Sequence, residues 1–170
     1  MSTGARAPLP DPRTHEDGPG LVTVRLLGAP LRLWDRAAVH TAELLREFAL
    51  LTVGLEHGGP PVPRRLLELV AELTVRYAGL SEQPEIQRVE ALAAGRTALD
   101  LVYQVPPDVG GPCTTLMELL DEADGYCERG TSLITLAAPA DQQQFRRWYL
   151  GEFVRQLDGH PPTPWPGAVA

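Results

Sequence analysis

The chain has 170 residues, 44% of them apolar, and a net charge of −7. That length fits one domain able to bury its own core, and no apolar run approaches the ~18 residues a bilayer-spanning helix needs. The acidic balance sets aside broad attraction to nucleic acid or anionic lipid.

Residues 1–20 mix Pro, Gly, Asp and Thr without apolar periodicity and read as a disordered arm. No apolar core follows Met1 as in a signal peptide, so the expected location is cytoplasmic. A folded domain is expected over 21–158. The first strand, Val22–Leu27, alternates Val22, Val24 and Leu26 with Thr23 and Arg25, predicting one buried and one wet face. Pro30 follows it.

Between Trp34 and Leu55, Ala37, Leu44, Phe48, Leu51 and Leu55 recur at the helical period, with Asp35 as the expected N-cap. Gly58-Gly59 and Pro60-Pro61 stop that helix. A second helix is expected from Pro63 to Tyr77. A shorter third follows Ser81, with Ile86, Val89 and Leu92 inward and Gly95 as its stop. A second strand, Leu99–Val105, again alternates cleanly. A helix over Cys113–Tyr126 buries Leu116, Leu119, Leu120 and Ala123. A third strand is expected at Leu133–Ala137, and a last helix at Asp141–Leu157. The Pro-rich stretch 159–170 cannot continue a helix and reads as a flexible tail. The expected class is therefore α/β (α+β): about three strands and five helices in the order β-α-α-α-β-α-β-α.

Chemistry is harder to find. All fifteen cations are arginine, and the chain has neither lysine nor asparagine. A P-loop lysine, a Schiff-base lysine and a Mg²⁺-holding asparagine are thereby excluded. Ser2, Ser81 and Ser132 lie outside any Gly-x-Ser-x-Gly elbow. Gly58-Gly59 and Gly110-Gly111 each precede proline, which removes an N–H that a phosphate cradle would use, so both read as turns. Cys113 and Cys127, if on one helix, lie roughly 21 Å apart, too far for a disulfide. No catalytic residue and no cofactor are expected.

Two faces remain. His40, Glu43 and Glu47 share one side of the first long helix and read as a solvated charged face; the alternative is a small-molecule or metal site on that polar face. On the last helix, Phe145, Tyr149, Leu150, Phe153, Val154 and Leu157 form one arc. Trp148 falls beside it with Gln144, Arg147, Gly151 and Arg155, a mixture typical of binding hot spots. A glycine in mid-helix at position 151 invites close approach of another backbone. The competing expectation is that Trp148 packs on the N- or C-terminal arm, or simply widens the core face.

The stretch Thr41–Leu51 through Glu56-His57-Gly58 resembles the first ATP-site helix of the anti-sigma-factor kinases, a branch of the histidine-kinase-type ATPases. The Mg²⁺-holding asparagine is missing and no Asp-x-Gly-x-Gly follows, so ATP binding is not carried over. The pattern Val24–Gly28 and Phe145–Phe153 is similar to small actinobacterial proteins associated with anti-sigma and anti-sigma-antagonist (partner-switching) modules. That resemblance implies a regulatory setting. The expectation is a non-enzymatic cytoplasmic regulatory domain that binds a protein partner, with sigma-factor control as the setting the resemblance implies, or associates with itself, without nucleic acid or membrane.

Overall fold

The computed structural model describes residues 20–54, 61–77, 79–80, 82–129 and 135–167. In chain order they form β1 (Val22–Pro30), α1 (Leu31–Gly54), α2 (Pro61–Arg76), α3 (Glu82–Ala93), β2 (Ala98–Val105), a 3-10 turn (Pro107–Val109), α4 (Gly110–Arg129) and α5 (Ala140–Leu157). The class is mixed α and β, with five helices beside one two-stranded antiparallel sheet among the described residues.

The alternation read in both strands produces the sheet's two faces. Leu99, Leu101, Tyr103 and Val105 are buried while the residues between them are exposed. Val24 and Leu26 on β1 are fully buried opposite Tyr103 and Leu101. The buried face packs on α5 through Phe153 and Tyr149, whose rings meet Tyr103. β1 outlasts its expected end because Leu27 and Gly28 bulge against the single residue Asp100, letting Ala29 and Pro30 pair again. Gly28 takes φ 68° there, and its N–H donates to Asp100 Oδ1 at 2.6 Å.

Several expectations are corrected. Asp35 lies inside α1, which starts directly after Pro30, so it is not an N-cap. On α3, Ile86 and Val89 are exposed, and the inward residues are Pro84, Arg88 and Ala91. That phase wins because Arg88 is held from the side by Asp35 and Glu85 and lies over the Trp34 ring. Gly110 and Gly111 open α4 instead of forming a separate turn. Among the described residues no third strand is found. Leu133 and Ile134 lie outside the described residues, and Thr135–Ala137 are irregular because α1 side chains, not a neighbouring strand, take their backbone groups. The arm 1–19 and the stop at Gly58-Gly59 also lie outside the described residues.

The C-terminal stretch is a further correction. Residues 160–167 run along α5 and β1, held by hydrogen bonds, where a flexible tail was expected. Gly159, at φ 86°, turns the chain back after α5, with His160 N–H donating to Arg155 O at 3.0 Å and Gly159 N–H to Gln156 O at 3.1 Å. Among the described residues no helix is long and apolar enough to cross a membrane.

Candidate functional site: a recess between three helices

A recess of about 350 Å³ opens between α1, α4 and α5. It exists because α1 presents small side chains there: Ala37, Ala38, Thr41 and Ala42 leave room that larger residues would fill. Trp34 and Leu45 flank them, Leu116 and Leu120 come from α4, and Phe145, Tyr149 and Leu150 from α5. The lining is mostly apolar and aromatic. Its size falls in the range of small-molecule sites, ~300–1,000 Å³.

Two polar side chains face this space from α5, one helical turn apart. Gln142 is 9% exposed, and its Oε1 has no hydrogen-bond partner among the described residues. The Arg146 side chain is 10% exposed; its Nη2 donates to Asp121 Oδ1 and Asp124 Oδ2, both at 2.6 Å, while Nε has no partner among the described residues. Arg147 also pairs with Asp121, so two arginines and two aspartates balance in charge.

The lip of the recess is pinned by hydrogen bonds. Asp124 Oδ1 accepts from Ala138 N–H at 2.8 Å, His40 Nε2–H donates to Leu136 O at 2.9 Å, and Glu47 Oε2 accepts from Thr135 N–H at 2.7 Å. His40 and Glu47 therefore clasp residues 135–136. This corrects the reading of a solvated face for those two residues; Glu43 is exposed. Among the described residues no group of three His, Cys, Asp or Glu is placed to hold a metal ion, so the alternative ligand set His40, Glu43 and Glu47 is not assembled.

Beneath the recess the Tyr103 and Tyr149 hydroxyls share a hydrogen bond of 2.8 Å. Burial pushes Tyr103 up to about 12 and Tyr149 well above its usual range. Burial also pushes Cys113 and Cys127 up to about 11, which keeps both thiols protonated at neutral pH and poor as nucleophiles. Both cysteines are free and buried. A second recess, of about 500 Å³, opens between α2, β2, α4 and α5 with Tyr77 among its lining residues.

The flank of α5 singled out in the sequence is occupied by the chain itself. Trp148 Nε1–H donates to Thr163 O at 3.1 Å, and the Trp148 and Trp165 rings stack edge-on at 5.4 Å. Arg155 donates to Pro161 O and to Thr163 Oγ1, and Gln144 to Gly167 O. Arg147 points to Asp121 instead. Nothing described lies within 4 Å of where a Cβ on Gly151 would stand, so the close backbone approach expected there is absent.

The recess was missed in the sequence reading, although the small-residue face Ala37-Ala38-x-x-Thr41-Ala42 was a usable signal. Gln142 and Arg146 carry no such signal, since their unpaired atoms emerge only from packing. No family model matches the chain, and neither the curated proteins nor the solved structures provide a match.

Proposed function

We propose that this chain is a non-enzymatic small-molecule-binding domain whose site is the recess between α1, α4 and α5. The observation that carries this reading is the recess itself, about 350 Å³ walled by Trp34, Leu45, Leu116, Phe145 and Tyr149, with Gln142 and Arg146 among its polar side chains. An apolar, aromatic-lined recess with a few convergent polar side chains is the usual form of a small-molecule site. The absence of an activated nucleophile among the described cysteines supports binding over catalysis. Free buried thiols support a reducing, cytoplasmic setting. A thermal-shift screen of small neutral and charged aromatic compounds tests the reading, with Ala38→Trp as the filled-recess control. Hits that raise the melting temperature of the native chain and not of Ala38→Trp are expected. Hits indifferent to that substitution would refute it.

A second reading keeps the expectation of a regulatory protein-binding domain, in line with the partner-switching resemblance. It is favoured by one observation: Gln144, Trp148 and Arg155 hold the backbone of an extended Pro-rich segment, the protein's own residues 161–167. A partner segment of similar chemistry would compete with it. A labelled peptide of residues 159–170 added to the intact chain would bind if the strap exchanges, and would not bind if it is permanently seated.

A further inference from the structure

We infer that the outer edge of β2 pairs with the same edge of a second copy of this chain, joining two two-stranded sheets into one of four strands. The two edges of the sheet differ. On β1, Arg25 N–H donates to Gln156 Oε1 at 2.9 Å, and Arg25 O accepts from Gln156 Nε2 at 2.7 Å. Leu27 O accepts from Trp165 N–H at 2.9 Å. That edge is closed by α5 and the strap. Arg25 therefore turns both backbone groups away from β2, and the residue it faces in the register is Val102. In an antiparallel ladder such a pair is not hydrogen-bonded, so Val102 also directs its N–H and C=O outward, as do Asp100 and Gln104. Among the described residues no hydrogen bond reaches those outward backbone groups. The Val102 side chain is 47% exposed. Nor does Ala98–Val105 hold a proline, a cation or a bulge of its own, the usual guards of an edge strand.

The occupant follows from the strand's own sequence. Antiparallel pairing about a two-fold axis through Val102 sets Val102 against Val102, and Asp100 against Gln104 of the second copy. The centre is then apolar, and each carboxylate meets a neutral amide. Centring on Asp100 would oppose two carboxylates. Centring on Gln104 would set Val102 against Pro106, which has no N–H to give. On the other face Leu101 meets Tyr103 of the second copy, so the buried faces of the two sheets continue into each other. Growth stops at two copies, because the outer edges of the enlarged sheet are the two β1 edges already closed by Gln156 and Trp165.

Sedimentation equilibrium of the full chain up to about 1 mM tests the association, and cysteines placed on β2 test its position. A monomer in equilibrium with a dimer is expected. Val102→Cys should form a disulfide-linked dimer when oxidised with diamide, since Cα atoms facing each other in a hydrogen-bonded pair lie ~5.5 Å apart. Gln104→Cys should not, because the two copies of position 104 are roughly 14 Å apart in this register. The native Cys113 and Cys127 are buried, so the unaltered chain is the control. Val102→Lys, which opposes two cations across the axis, should weaken association about tenfold or more while leaving the melting curve of the dilute monomer unchanged. A chain that stays monomeric to about 1 mM overturns the inference. So does a dimer that persists in Val102→Lys, or one that crosslinks through Gln104→Cys and not through Val102→Cys.

Discussion

Gln142 and Arg146 act in opposite directions on stability although they share one face of α5. Gln142 Oε1 is buried and unpaired, so Gln142→Leu removes a desolvated acceptor and adds apolar contact. We expect it to stabilise the ligand-free protein by about 1 kcal/mol, read from urea unfolding. Arg146 is different, because its guanidinium answers Asp124, whose side chain is 6% exposed. Arg146→Met would leave that carboxylate buried without its cation and should cost about 3 kcal/mol by the same measurement. Trp148 belongs with the strap: it touches the rings of Phe145 and Trp165 and donates to Thr163 O. Trp148→Ala should lower stability by about 2 kcal/mol, less than for a fully buried tryptophan, and make residues 160–167 accessible to limited proteolysis. A stable variant with a protected strap would contradict this.

At the scale of elements, α5 is the one on which most of the structure depends. Its inner arc packs on β2 and α1, Gln156 bonds the backbone N–H and C=O of Arg25 at the edge of β1, and Glu152 accepts from Arg155, Gln156 and the N–H of Thr163. Gly151 sits in its middle with open space where a side chain would go. Gly151→Ala should therefore stabilise the helix by roughly 0.5–1 kcal/mol, the difference in helix propensity; a lower melting temperature would show a contact at that position. Strand alternation was legible because β2 is wet on one side and buried on the other, so the period of two appears directly in Leu99, Leu101, Tyr103 and Val105. Helix positions were legible for the same kind of reason. The phase of α3 was not, since its buried arginine is compensated by Asp35, fifty-three residues away, and by Trp34, and no local pattern reports such a partner. The order in 160–167 was hidden likewise: proline excludes a helix, but only the side chains of α5 make an extended path stable.

For the molecule as a whole, alkaline pH is the revealing variable. Cys113 is pushed from 9.0 to about 11 and Tyr103 from 10.0 to about 12, in both cases chiefly by burial. A raised folded-state value means that the unfolded chain loses these protons first, so stability falls as pH rises. The loss should begin near 9, where the unfolded thiols ionise, and steepen from 10 to 12, because Tyr103 and Tyr149 keep protons that unfolded tyrosines lose. Urea midpoints compared at neutral pH and within that window check it, with Tyr103→Phe expected to flatten the upper part of the curve. A midpoint independent of pH across the window would mean that these groups are not buried as described.

The recess between α1, α4 and α5 is tested most directly by mapping methyl resonances of the labelled protein during titration with the compound that most raises its melting temperature in the thermal-shift screen. The account predicts saturable shifts at Leu45, Leu116, Leu120 and Leu150, which line that recess, and none at Leu73 or Leu80, which line the other. Shifts confined to Leu73 and Leu80, or no saturable shift at all, would contradict it.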